Sequence, residues 1–263
     1  MWIMGAQQRT NRNLFQKSID LVKRAGVKGG FKRAWYLIYW KMERAFYSPI
    51  KTQYYKINKK QKLKFKNKKY EYFYNAYNET CSNERAIEVP LVYDIVNKYH
   101  NKKILEVGNV FSHYFKIDHQ VVDKYEHGIN VLNEDILNFK PKTKFDLIFS
   151  ISTIEHIGYD EEGPKEKMKS LRALQKLYRL LNKNGLLVIT VPINYNLDID
   201  EIISKKLFKF NHIYFFRKVS IDNRWVEVRH REASKVKYNY PFKGDNAIAL
   251  CFRYKSSYNY NDL

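Results

Sequence analysis

Apolar residues in the second half of this chain come in two patterns: short unbroken runs, and faces that recur every three or four positions. Ile104, Leu105 and Val107 form one run, QVVD (120–123) a second, Ile129 to Val131 a third and FDLIFSI (145–151) a fourth. LLVITV (186–191) and AIALCFR (247–253) follow. Short continuous runs of this kind read as strands covered on both faces of a parallel sheet. Ile87, Leu91, Val92, Ile95, Val96 and Tyr99 share one face of a helix between Ser82 and His100. Pro90 is expected in its first turn, which moves the start to about Val89. Met168, Leu171, Leu174, Tyr178 and Leu181 mark a second helix from Lys165 to Asn182, with Gly185 just past its end. Strands alternating with helices predict an α/β fold built on a mostly parallel sheet with helices on both faces.

The pattern before residue 80 is different. Phe15, Ile19 and Val22 lie on one face of a short helix from Asn13 to Ala25, closed by Gly26. Phe31, Trp35, Ile38, Tyr39, Met42 and Phe46 give a wide apolar face over Phe31 to Phe46, with Lys32, Arg33, Lys41 and Arg44 off the stripe. A helix of this kind either lies in a bilayer interface or packs on a domain. Leu63 and Phe65, then Tyr70, Tyr72 and Tyr74, alternate about a turn near Asn67 as a hairpin does. The chain therefore divides into a basic N-terminal extension of helices and hairpin, 1–80, and a main domain over 81–263, with no internal repeat.

Composition sharpens this picture. At 263 residues with 44% apolar residues the chain has enough material for a real core. Its net charge of +21 implies polyanionic company: nucleic acid, anionic headgroups or phosphorylated substrates. Lysines crowd the stretch from Lys51 to Lys69, either as a phosphate- or headgroup-binding surface or as a solvated hairpin guarded against edge pairing. Cys81 and Cys251 have no metal-ligand spacing and fit a reducing cytoplasm, a single disulfide being the alternative. The first residues lack a signal-peptide pattern, and no apolar run approaches the roughly 20 residues of a membrane span. The expected location is cytoplasmic, with peripheral attachment at the inner membrane surface as an additional expectation.

The polar residues of interest cluster at the ends of the apolar runs: Glu106 and Gly108, Asp123, Asp135, and Ser150 to His156. Open α/β sheets bind ligands there, outside the carboxyl ends of the strands. Asp123 follows Glu106 at about the interval, roughly 20 residues, at which an acidic side chain meets a ribose. VGNVFSHYF holds a single glycine where a dinucleotide loop needs several, and no phosphate-binding GxxxxGK[ST] occurs anywhere. An adenosyl ligand without phosphates remains.

LEVGN (105–109), FDLIFSISTIEHIG (145–158) and NKNGLLVITVP (182–192), in this order, resemble the motifs of class I S-adenosylmethionine-dependent methyltransferases, over about residues 80 to 255. Where that family carries further glycines this chain has Val110, Phe111 and Ser112. The resemblance implies a Rossmann-like sheet, S-adenosyl-L-methionine as cofactor and no metal. It implies that Glu106 orients the loop and meets the methionine amino group, that Gly108 allows close backbone approach, and that Asp123 holds the ribose hydroxyls. Asp135 with Ile136 would frame the adenine. Ser150 and Ser152 would line the cofactor, and Glu155 and His156 would stand at the mouth of the site.

Such a site displaces a methyl group from a sulfonium onto a nucleophile, and in-line positioning dominates the protein's contribution. A hydroxyl acceptor needs a base, and His156 is the candidate; its structural alternative is to cap a helix or hold the loop. His113, Asp160 and Tyr195 are weaker candidates for the acceptor pocket, and 194–211 is the segment expected to vary it. NERAIEVP (83–90) and YPFKGDNAIAL (240–250) resemble segments of methyltransferases associated with polysaccharide biosynthesis. The expected reaction is methyl transfer to a hydroxyl of a sugar or surface-glycan precursor. The expected partners are a small-molecule or lipid-linked glycan acceptor and an anionic membrane surface. Nucleic acid is less favoured. Two alternatives stay open: a nucleic-acid-associated methyltransferase or RNA-binding protein using the basic N-terminal region, and a non-catalytic methyltransferase-like scaffold.

Overall fold

The computed structural model describes residues 47–161 and 163–255. The helices expected over 13–25 and 31–46 lie outside the described residues. The chain divides into two compact units, Met1–Lys59 and Lys60–Leu263. In the smaller unit, helix α1 (Ser48–Asn58) carries Pro49 in its first turn, where the missing N–H leaves no bond unmade. The sequence reading did not name this helix, although Ile50, Tyr54 and Ile57 fall at helical spacing; all three are exposed on it.

The larger unit begins with the hairpin. Strands β1 (Lys62–Phe65) and β2 (Lys68–Glu71) pair antiparallel, Lys62 opposite Glu71 and Phe65 opposite Lys68. Alternation does what the sequence predicts: Leu63 and Phe65 are buried while Lys62 and Lys64 face out. The Phe65 ring packs edge-on against Tyr214 and Phe216, at 4.8 and 5.4 Å between ring centres. The Trp225 N–H donates to the Tyr72 hydroxyl at 2.7 Å. These contacts make the hairpin part of the larger unit, which therefore starts at Lys60, ahead of the residue-80 boundary read from sequence.

Helix α2 (Arg85–Lys98) starts before Val89, so Pro90 sits inside it rather than in its first turn. A proline there leaves the carbonyl four residues earlier without its helical donor. That carbonyl, on Ala86, accepts instead from the Phe73 N–H at 2.8 Å. The segment leaving the hairpin thus supplies the donor that the helix lacks.

Eight strands form the main sheet in the order β5-β4-β3-β6-β7-β10-β8-β9. They are β3 (Ile104–Val107), β4 (Gln120–Asp123), β5 (Val131–Asn133), β6 (Phe145–Ile151), β7 (Leu181–Pro192), β8 (His212–Lys218), β9 (Trp225–Val228) and β10 (Ala247–Tyr254). Neighbours from β5 to β7 are parallel; β10 runs antiparallel between β7 and β8, and β9 closes the edge antiparallel to β8. Helix α3 (Lys169–Leu180) packs Ala173, Leu174 and Leu177 with Leu105, Val107, Ile148, Leu187 and Ile189 in a core that also takes Ile199, Ile202 and Ile203 of α4 (Leu197–Ser204). The alternate residues of these strands point to the other face, which α2 and the hairpin cover. The Rossmann-like, mostly parallel sheet with helices on both faces is therefore formed.

Three local differences from the sequence reading have simple causes. Ile129 is 89% exposed, because β5 is a short edge strand that begins only at Val131. Helix α3 starts at Lys169, after Met168 takes a left-handed conformation with φ 58° that stops helix propagation toward Lys165. Strands β8 and β9 were not anticipated, since antiparallel neighbours need no helical crossover to mark them. Among the described residues no helix is long and apolar enough to cross a membrane.

Candidate active site

Strand order reverses at β3, which lies between β4 and β6, so the crevice of an open sheet falls at the carboxyl ends of β3 and β6. There the chain leaves β3 through Gly108 at φ +87°, with the Gly108 N–H still donating to the Val122 carbonyl at 2.9 Å. Two carboxylates hold the following turn. Glu106 is fully buried, and its Oε1 accepts the N–H groups of Val110 and Phe111 at 2.9 and 2.8 Å. Its Oε2 lies 2.8 Å from His119 Nε2. Asp123, at the end of β4, accepts the Asn109 N–H at 3.0 Å and those of Tyr125 and Glu126 at 2.8 and 2.7 Å.

This geometry divides the roles expected of the two acids. Glu106 orients the loop, but both its oxygens are turned onto the protein's own donors, so it has no face toward a ligand's amino group. Asp123 is half-buried, and its three N–H partners leave one of the roughly four acceptor positions of a carboxylate. Phe111, which stands where the related motif has small residues, fills the space under the turn and packs on Phe149 with ring centres 5.0 Å apart. Glu126 was not singled out by sequence. It accepts from Asn109 Nδ2 at 2.8 Å and lies 2.8 Å from His113 Nε2, whose ring stacks on Tyr77.

Asp135 and Ile136 follow β5. Ile136 is buried in the sheet core, so it supports the crevice from below rather than lining it. Asp135 accepts the Leu137 N–H at 3.0 Å and lies 3.3 and 3.5 Å from Lys169 and Lys124, both of which also pair with Glu161. Burial works to raise the Asp135 carboxyl, but the Leu137 N–H and Lys169 outweigh it and hold it below its usual range.

On the β6 side, Ser150 Oγ is fully buried and donates to the Val107 carbonyl at 2.7 Å. It stitches β6 to β3 and is not available to a ligand. Ser152 directly follows the strand at φ 37°, in the left-handed region. Its N–H donates to the Thr190 carbonyl and its Oγ to Glu88 Oε1 at 2.6 Å. Glu88 Oε2 accepts from Arg85 at 2.9 Å, and Arg85 also reaches the Ser152 carbonyl at 3.4 Å. Burial pushes the Glu88 carboxyl up, against the pull of Arg85. Sequence reading used NERAIEVP only as a resemblance; the available signal was Glu88 itself, an acid flanked by Ile87 and Val89 on the apolar part of a helix.

Beyond Ser152, Glu155 is buried and His156 is half-exposed. His156 Nδ1 lies 2.9 Å from Asp160, which also accepts the Tyr195 hydroxyl at 2.5 Å. His156 Nε2 is 3.7 Å from Glu155 Oε1. The site therefore joins His156, Asp160 and Tyr195, all three named from sequence, whereas His113 stands apart with Glu126 and Tyr77. Burial disfavours the imidazolium, but the Asp160 hydrogen bond and the charges of Glu155 and Asp160 together outweigh it and raise His156 above its usual value. Burial pushes Glu155 up to about 7, against the opposing charge of His156. Asn196 Nδ2 fixes this corner by donating to the Glu155 carbonyl at 2.6 Å. Among the described residues no three His, Cys, Asp or Glu side chains are placed to hold a metal ion.

No family model matches the chain, and no curated protein matches it. Its fold is similar to parts of solved structures. One is the N-methyltransferase NodS from Bradyrhizobium japonicum in complex with S-adenosylhomocysteine: 12% identity over 66% of this chain and 93% of that one, TM-score 0.37. Another is an S-adenosylmethionine-dependent methyltransferase from Archaeoglobus fulgidus: 16% identity, 63% and 93% coverage, TM-score 0.39. A third is a sugar N-methyltransferase from a Streptoalloteichus species: 12% identity, 67% and 91% coverage, TM-score 0.35.

Proposed function

We propose that the chain is a methyltransferase that takes its methyl group from S-adenosylmethionine, with the cofactor at the ends of β3 and β4 and the acceptor at the ends of β6 and β7. The observation that carries this reading is the turn at Gly108. It is held by Glu106 beneath and Asp123 beside it, and Gly108 is packed so closely on Thr153 of the loop after β6 that a Cβ there would clash. The residues fit the cofactor. Gly108 lets the loops leaving β3 and β6 meet at the crevice, Asp123 keeps an acceptor position for a ribose hydroxyl, and the chain carries no phosphate loop at this point.

S-adenosylmethionine supplies an already activated methyl group, so the protein has chiefly to bind, align and exclude water. Glu106 and His119 fix the loop; Ser150 and Ser152 fix the end of β6; Asp135, held ionised, borders the adenine side. For a hydroxyl acceptor, His156 backed by Asp160 is the group placed to receive a proton. We further assign the acceptor to the sugars of glycan precursors. Tyr159, Tyr195 and Tyr238 support this, since they form an aromatic wall beside His156 with ring centres 5.5 and 5.0 Å apart, a surface suited to the apolar face of a sugar ring. The lysines around α1 and the hairpin support attachment to an anionic lipid surface, each lysine near such a surface adding on the order of 1 kcal/mol.

Calorimetric titration of the full chain with S-adenosylmethionine and S-adenosylhomocysteine tests the cofactor reading. Binding in the micromolar range, weakened in Asp123→Ala while the variant still melts cooperatively, is expected. A folded wild type that binds neither compound defeats it and returns the scaffold reading. Sedimentation with anionic and neutral vesicles tests the surface reading, which fails if binding does not depend on lipid charge.

A further inference from the structure

In a chain of net charge +21, the corner beside the proposed acceptor position is acidic. Glu84 and Glu88 approach it from the start of α2, Glu155 from the turn after β6, and Asp245 from the segment leading into β10. Glu84, Glu88 and Glu155 are 8%, 0% and 1% exposed. Arg85 is engaged with Glu88 and the Ser152 carbonyl, and Lys218 Nζ donates to the Ser82 carbonyl at 2.8 Å. The four acids are close enough to act on one another. Burial pushes Asp245 well above its usual range, reinforced by the charges of Glu84, Glu155 and Glu88 and by a hydrogen bond with Glu84.

Two oxygens of this group are orphans. Glu155 Oε2 and Asp245 Oδ1 are buried and have no hydrogen-bond partner. Leaving a buried carboxyl oxygen without a donor is unfavourable, and a positive charge placed among these acids would favour their ionised forms, so the arrangement suits a cationic donor. A divalent metal would need at least three converging ligands, and the described residues do not provide them. A neutral hydroxyl offers one donor and no charge. An ammonium group offers a positive charge and three donors.

We propose that the methyl acceptor of this site is a primary amine, bound as an ammonium ion at the Glu84–Glu88–Glu155–Asp245 cluster with Glu155 Oε2 as its principal acceptor. The proposal rests on the methyl-transfer reading and fixes the reacting atom as nitrogen, in place of the hydroxyl expected from sequence. Glu155 takes one proton from the bound R–NH3+. The freed lone pair forms an N–C bond to the methyl carbon as the C–S bond breaks, its electron pair remaining on sulfur. The products are R–NH2–CH3+ and the neutral thioether S-adenosylhomocysteine, and Glu155 passes its proton to water. A carboxyl near 7 is suited to take up and release that proton close to neutrality.

The test uses the full chain in two stages. S-adenosylhomocysteine is titrated first; if it does not bind, the methyl-transfer reading falls. The saturated complex is then titrated with matched probes, ethanolamine against ethylene glycol and glucosamine against glucose, and the position of a labelled methyl group is read by mass spectrometry in turnover with S-adenosylmethionine. The expected result is that an amine binds about ten- to hundredfold tighter than its hydroxyl partner and receives the methyl on nitrogen. Glu155→Gln and Asp245→Asn, both isosteric, should abolish that preference while S-adenosylhomocysteine still binds. Cofactor binding with no amine preference, methyl transfer to oxygen, or an undiminished preference in folded Glu155→Gln overturns the proposal and leaves the methyl-transfer reading standing.

Discussion

The Cβ that Gly108 lacks would stand 2.1 Å from Thr153 Oγ1, a separation no non-bonded pair of heavy atoms tolerates. The two loops that bound the crevice, one leaving β3 and the other leaving β6, thus meet at a point where only glycine fits. Its φ of +87° adds a second reason, since an L side chain is strained there. Gly108→Ala is therefore expected to lower the unfolding free energy by about 2–4 kcal/mol, combining left-handed strain with displacement of Thr153. Urea denaturation measures the first effect and titration with S-adenosylhomocysteine the expected loss of binding. Wild-type values for both would show that the loops do not meet in this way.

Glu106 is a keystone of the same turn. Replacing it by alanine leaves the part-buried Val110 N–H, the buried Phe111 N–H and His119 without their acceptor. A loss of about 3 kcal/mol or more is expected, given what each unsatisfied buried donor contributes. Amide exchange localises it: Val110 and Phe111 should exchange faster in the variant, whereas amides in the middle of β7 should change only with global stability.

Glu155 sets a pH dependence. Its carboxyl ionises near its ordinary 4.5 in the unfolded chain and near 7 when folded. Between those values the folded state holds the extra proton, so this group's contribution to stability falls as pH rises from 4.5 toward 7 and is level above that. Glu155→Gln should match the wild type near pH 4 and exceed it at pH 8 by on the order of 3 kcal/mol. Parallel denaturation series at several pH values read the difference, and two curves with the same slope would rule out the raised pKa.

The hairpin belongs to the sheet unit and not to a detachable extension. Tyr72→Phe removes the acceptor of the buried Trp225 N–H and should lower stability by about 1–2 kcal/mol. A chain beginning at Lys60 should retain a cooperative thermal transition. One beginning after residue 80 should not, because the Ala86 carbonyl and Trp225 N–H both lose their partners. Cooperative melting of the shorter chain would restore the residue-80 boundary.

Much of this protein was determined by local pattern. Strands covered on both faces must be continuously apolar, so β4 and β6 were legible to the residue, and their polar ends marked where a ligand would lie. Alternation fixed the hairpin register in the same way, because a slip of one residue would turn Leu63 and Phe65 outward. Tertiary structure alone decided which polar groups pair with the protein itself. Glu106 and Ser150 are closed off by His119 and by the Val107 carbonyl, partners brought from other elements, whereas Glu155 and Asp245 retain unpaired oxygens. The position of Pro90 followed the same rule, its helix continuing because Phe73 supplies a donor from outside. Periodicity records how each segment meets water and core. Whether a carboxylate is satisfied or waiting for a ligand depends on donors far away in sequence, and only the packed sheet brings them within hydrogen-bond reach.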